Sequence, residues 1–119
     1  MENIIIVGNG STAETIYNFI QKYNLFNVIG FAVNKKYHYK NTYLGNPNYV
    51  LEELDIKGNY YLFVAVLWNG LNRDRRDLYT NLKLKGFKFV NIISPYAIIS
   101  GRIEGDNCWI ADQVVIDFN

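Results

Sequence analysis

Two rhythms divide this chain, and together they exclude most ways of folding it. Up to Ser94-Pro95 the apolar residues recur at the spacings of strands and helices. From Ile98 the chain reads Ile-Ile-Ser-Gly-Arg-Ile, Glu-Gly-Asp-Asn-Cys-Trp, Ile-Ala-Asp-Gln-Val-Val, Ile-Asp-Phe-Asn119, a six-residue period with Ile98, Ile110 and Ile116 in phase. A period of six belongs neither to an α-helix nor to a flat strand. It marks a coil whose units bury their apolar faces only against the next unit, and such solenoids need about three units to stand. The expected organisation is therefore one domain over residues 1–95 and the start of a truncated repeat over residues 96–119, the front part of something longer.

The first part alternates strands and helices. Asn3 to Val7 is a continuous β-branched run of the kind found in a parallel sheet covered on both faces. Ala13, Ile16, Tyr17, Ile20 and Tyr23 then draw one helical stripe, with Ser11 or Thr12 as N-cap and Glu14 at the positive end of the dipole. Asn27 to Ala32 is a second strand, and Val33 to Thr42 a polar loop. Pro47 is placed to open a short helix that buries Val50, Leu51 and Leu54. Tyr60 to Leu67 is a third strand. Asn72 to Lys85 is a second helix on the stripe Leu71, Arg75, Leu78, Leu82 and Lys85, with Gly86 as C-cap, and Phe87 to Ile93 is a fourth strand. The order predicts an α/β fold, an open parallel sheet of about four strands with right-handed crossovers and helices on both faces.

Composition narrows the partners. Twelve Lys and Arg against 11 Asp and Glu leave a formal charge of +1, so no broad field draws the chain to nucleic acid or to an anionic membrane. Any anion site is local. No apolar run approaches the roughly 20 residues that span a bilayer, the single cysteine forms no internal disulfide, and Met1 leads directly into a strand without a leader. These features point to the cytoplasm. Ten Tyr among 19 aromatic residues carry no period and read as general composition.

The strongest candidate for chemistry is Gly8-Asn9-Gly10-Ser11-Thr12-Ala13, which fits G-x-G-x-x-G/A between a strand and a helix. Glycines there allow a tight turn and close backbone approach, and the helix start favours a phosphate. The alternative is a turn that merely connects. Binding of NAD calls for an acid at the end of the second strand, but that strand runs into Val33-Asn34-Lys35-Lys36. Asn34 is instead suited to a base or ribose and Lys35 or Lys36 to a diphosphate. The third strand ends at Leu67-Trp68-Asn69 on the same rim, where Trp68 either stacks on a ring or covers the sheet edge. The charges of Arg73 to Asp77 read as a solvated face. His38 and Cys108, one of each and far apart, make neither a metal site nor a catalytic pair.

Ile4-Ile-Ile-Val-Gly-Asn-Gly10, Ile29-Gly-Phe31, Tyr43-Leu-Gly45, the Phe63 to Asn69 strand, Lys85-Gly-Phe-Lys-Phe89, Ser94-Pro95 and the hexads together resemble the sugar acetyltransferases related to the sialic acid O-acetyltransferases and the bacillosamine-pathway N-acetyltransferase. The resemblance implies a truncated Rossmann-like domain that binds a nucleotide-sugar, a UDP-sugar first among the candidates. It also implies the first turn of a left-handed parallel β-helix, the part that in this family forms homotrimers and binds acetyl-CoA. The residues that carry over to substrate binding are Gly8 to Thr12, Asn34, Lys35 and Leu67 to Asn69. No catalytic residue falls within the chain, because the general-base histidine would lie beyond Asn119. On this reading the 119 residues are inactive alone and remain a monomer or weak dimer. The alternative is a stand-alone module that holds a nucleotide or nucleotide-sugar without transferring an acyl group. Three departures accompany the resemblance: Val33 and Asn34 stand where acids are common, Ser94-Pro95 where His-Pro is common, and Glu104 at an inward position of the repeat.

Overall fold

The computed structural model describes residues 1–65, 73–100, 103, 105–112 and 115–117. Strand β1 (Asn3–Val7) lies between β2 (Asn27–Val33) and β5 (Tyr61–Val64), both parallel to it. β4 (Asn46–Val50) continues the parallel sheet beyond β2, and the short β3 (Thr42–Tyr43) closes that edge antiparallel, for the order β3-β4-β2-β1-β5. The β-branched run of β1 is explained by its central place. Ile4 and Ile6 face one layer with Ile16, Ile20 and Phe31, while Ile5 and Val7 face the other with Leu62, Val64 and Leu82. Helix α1 (Ser11–Tyr23) covers the first layer and α2 (Arg73–Leu84) borders the second, so the α/β fold with helices on both faces is realised. Truncating a side chain as completely buried as Ile6 costs about 2–5 kcal/mol.

Several expectations are corrected. The segment opening at Pro47 is a strand, not a helix. Leu44 and Gly45 take φ of 50° and 77°, the two-residue turn that matches strand twist, and it folds Tyr43 back on Asn46. Leu51 to Glu53 follow as a single 3-10 turn. On α2, Leu82 is buried and Leu78 and Tyr79 pack beside it, whereas Lys85 is exposed, so Tyr79 takes the place assigned to Lys85 on the apolar stripe. Leu71 and Asn72 lie outside the described residues, as does the third strand beyond Ala65. Gly86 does end the helix, at φ 101°.

The fourth strand is also revised. Phe87 to Val90 meets β5 only through a parallel bridge at Leu62 and Phe89. The chain then leaves the sheet, and Ile92–Ile93 (β6) pairs with Trp109–Ile110 (β8), as Ile98–Ser100 (β7) pairs with Val115–Asp117 (β9). Both pairs are parallel. Ile92 meets Trp109 and Ile98 meets Val115, in each case 17 residues further on (109 − 92 and 115 − 98). Seventeen is not a multiple of six, so the strict hexad phase fails: Ile116 sits opposite Ile99, and Ile98 is exposed where Ile110 is buried. The spacing within each turn is still six, from 92 to 98 and from 109 to 115. The lost residue therefore falls between Ser100 and Trp109. Glu104, the position singled out there, lies outside the described residues.

Candidate functional site

Three strand ends are pinned at one level. The Gly8 amide donates to the carbonyl of Ala32 at 2.8 Å, and the Ala65 amide donates to that of Val7 at 2.8 Å. The carboxyl ends of β1, β2 and β5 thus form one rim. Neighbours in this sheet lie on opposite sides of β1, with β2 and β4 to one side and β5 to the other, and a crevice opens outside the strand ends where the order reverses. Here it is a groove of about 460 Å³ lined by Val7 to Gly10, Ala32 to Asn34, Lys36, Tyr37, Ala65 and Leu78.

Gly8 is required by this rim. Its φ is +136°, and a Cβ would lie 2.6 Å from the Ala65 carbonyl oxygen, inside any tolerable contact and in a backbone region that favours glycine. Gly10 is the N-cap of α1, with extended backbone and no side-chain hydrogen bond to the first turn. The expected N-caps are therefore displaced: Ser11 and Thr12 are already helical, and the Ser11 carbonyl accepts from Thr15 Oγ1 at 2.9 Å. With no side-chain cap at its start, α1 offers the groove main-chain N-H groups and the positive end of its dipole.

On the β2 side Asn34 leads into a 3-10 turn at Lys35–Tyr37, closed by the Tyr37 amide donating to the Asn34 carbonyl at 2.8 Å. Of the two lysines, Lys36 and not Lys35 lines the groove. The Lys35 amide donates to Glu52 Oε1 at 3.0 Å, which ties this residue to the 3-10 turn at Leu51–Glu53. Lys36 Nζ sits 4.9 Å above the ring of Tyr37. Among the described lining residues Lys36 carries the one charge, so the groove is positive. Of the expected residues, Gly8, Asn9, Gly10 and Asn34 line the groove, Ser11 and Thr12 lie in the first turn of α1, and Lys35 is not in the lining, which Lys36, Tyr37 and Leu78 join. Leu67, Trp68 and Asn69 lie outside the described residues.

The remaining candidates stay away from the groove lining. His38 Nε2 is 2.7 Å from the Asn48 carbonyl oxygen, a structural contact inside the hairpin. Cys108 is partly buried with Sγ 3.5 Å from the Asp106 carbonyl oxygen. Among the described residues no group of three His, Cys, Asp or Glu is placed to hold a metal, and no helix is long and apolar enough to cross a membrane.

No family model matches the sequence, and no curated protein is similar to it in sequence. Solved structures do share its fold. A histidine-to-asparagine variant of perosamine N-acetyltransferase and the protein PerB, both from Caulobacter crescentus and both in complex with CoA and GDP-perosamine, superpose with a TM-score of 0.74 at 24% identity. Each match covers 98% of this chain and 55% of that chain. A histidine-to-alanine variant in the same complex gives 0.73 over 97% of this chain and 54% of its own. The structural neighbours are thus sugar N-acetyltransferases of the kind that the sequence resembles, and the chain shares their fold while spanning about half of their length.

Proposed function

We propose that this chain is the nucleotide-sugar-binding portion of an acetyl-CoA-dependent sugar acetyltransferase serving bacterial surface glycan or glycoconjugate synthesis. Residues 1–95 would hold the nucleotide-sugar, and residues 96–119 would begin a left-handed β-helix. The carrying observation is the groove itself: an uncapped helix start, a glycine turn and a single lysine meeting where the strand order reverses. In this reading the diphosphate lies over Gly8 to Thr12 and is screened by Lys36. Asn34 and Tyr37 take the base, and the glycosyl group points past Ala65 and Leu78. That end adjoins the coil, because Asn107 of the coil hydrogen-bonds the backbone of Val64, the residue before Ala65.

An oxidoreductase reading is weaker on chemistry. A carboxylate does reach the end of β2, but Glu52 Oε1 is engaged by the Lys35 amide, and Glu52 is not among the groove-lining residues. No residue of this chain is assigned to acetyl-CoA: among the described residues β6 to β9 provide one parallel pairing per side. When bound, acetyl-CoA would supply the acyl group to sequence outside this span, and the present residues would hold and orient the acceptor sugar.

Calorimetric titration with UDP-N-acetylglucosamine, GDP-mannose and NAD tests the assignment. Saturable binding of a nucleotide-sugar, the UDP compound ahead of the GDP compound, is the expected result. Binding of NAD with no response to either sugar nucleotide overturns it.

A further inference from the structure

The hairpin that the sequence concealed reaches the glycine turn. Tyr43, the last residue of β3, donates its hydroxyl to the Gly10 carbonyl oxygen at 3.1 Å, a contact across 33 residues of sequence. Its ring is fixed separately, edge-on to Phe31 with centroids 4.9 Å apart and planes at 89°. The same Gly10 oxygen accepts the first helical hydrogen bond of α1, from the Glu14 amide at 3.1 Å. A carbonyl oxygen has two lone pairs, and here both are assigned.

The consequence follows from the peptide unit. In a planar trans peptide the C=O and the following N-H point in opposite directions. Holding the Gly10 carbonyl by two donors therefore fixes the direction of the Ser11 N-H, the first donor of the helix, away from the helix body. Burial, and after it the Glu14 carboxylate, raise the Tyr43 phenol above its ordinary value of 10.0, so the hydroxyl is a donor throughout the neutral range.

We infer that Tyr43 is a positioning residue for the anion-binding turn: it orients the Gly10-Ser11 peptide toward the ligand's diphosphate and ties the β3–β4 hairpin to that turn. This inference rests on the nucleotide-sugar reading of the groove. It assigns Tyr43 no contact with the sugar or base.

The test is Tyr43→Phe, which keeps the ring against Phe31 and removes only the donor. Two measurements on the whole chain are compared with the wild type: calorimetric affinity for UDP-N-acetylglucosamine and for UDP, and amide hydrogen exchange at Ser11 and Glu14. One hydrogen bond's worth of orientation predicts about three- to tenfold weaker binding of both ligands, faster exchange at Glu14, and a melting temperature lower by no more than about 5 °C. Equal affinity in the variant overturns the inference, as does a fall in melting temperature with unchanged exchange at Glu14. Should the wild type bind neither ligand, the functional reading fails, and unchanged exchange at Ser11 and Glu14 would then sink the positioning role on its own.

Discussion

The rim of the parallel sheet and the coil that follows it are held by different forces. At the rim, main chain meets main chain: Gly8 to Ala32, Ala65 to Val7, over a floor of completely buried Ile4, Ile6 and Val64. The coil is fastened to the domain by a main-chain bond from the Asn107 amide to the Val90 carbonyl, by the edge-on ring pairs Phe19–Trp109 and Tyr23–Tyr96, and by a set of polar side chains. Asp106 accepts from Lys83 and Tyr79 of α2, Asp112 accepts from Tyr23 of α1 and from Ser94, and Asn107 bonds both the amide and the carbonyl of Val64 at 2.7 and 3.4 Å. Where a sixth strand would continue the sheet, the Asn107 amide stands in for a peptide group. The rim should therefore resist pH and salt, whereas the junction should respond to both, and perturbations of one should be readable separately from the other.

The largest effect is expected at the rim. Gly8→Val places a Cβ against the Ala65 carbonyl in a conformation that a β-branched residue does not adopt, and urea unfolding should show a loss of about 3 kcal/mol or more. A loss under about 1 kcal/mol would mean that the strand ends are less tightly pinned than the hydrogen bonds indicate. Next comes Asn107→Ala. It strips the Val64 amide of its acceptor at a buried site, for a predicted loss of about 1–3 kcal/mol, with faster exchange of the Val64 amide while that of Ile6 stays protected.

Lys36→Ala is smaller and of another kind. Lys36 is exposed, so the melting temperature should barely move, while affinity for a nucleotide-sugar falls about five- to tenfold and loses salt dependence. An unchanged affinity would remove Lys36 from the site, and Lys35→Ala is the control that leaves the groove lining intact.

The smallest effect separates the two regions by pH. Burial tends to raise the Asp106 carboxyl, but the hydrogen bonds from Lys83 and Tyr79 outweigh it and hold it below its ordinary 3.8. Asp112 is lowered likewise, by its bonds from Ser94 and then Tyr23. A depressed carboxylate stabilises the fold above its unfolded value, and that contribution is lost as pH falls through the folded one. Acidification below the 3.8 of a free carboxyl should therefore loosen the junction first, seen as faster exchange at Cys108 and Ile110 with β1 still protected. In Asp106→Asn that acid step should shrink; an undiminished step would assign it elsewhere.

Much of this division is legible in residue order, and the exceptions have physical causes. The strand Asn3–Val7, the glycine turn and α1 were readable because each level agrees: β-branched run, Gly-x-Gly, then a helical stripe. The hairpin at Thr42–Val50 was not, since its turn places Leu44 at a positive φ that leucine rarely adopts, and Pro47 imitates a helix start. The choice between Lys35 and Lys36, and the wall residue Tyr37, were not legible because a one-turn 3-10 segment decides which of two adjacent lysines faces the groove, and the anchor for that turn, Glu52, lies 17 residues away from Lys35. The junction was invisible for a similar reason. Asn107 joins the sheet edge from 43 residues away, and no local pattern announces a side chain that replaces a strand.

The central claim is that the rim, and not the coil, recognises a nucleotide-sugar. Amide shift mapping on titration with UDP-N-acetylglucosamine tests it directly. The account predicts saturable changes at Gly8 to Thr12 and at Asn34 to Tyr37, with Ile92, Ile93 and Ile98 to Ser100 unmoved. Changes centred on the coil, or a response to NAD at the rim with none to the sugar nucleotide, would contradict it.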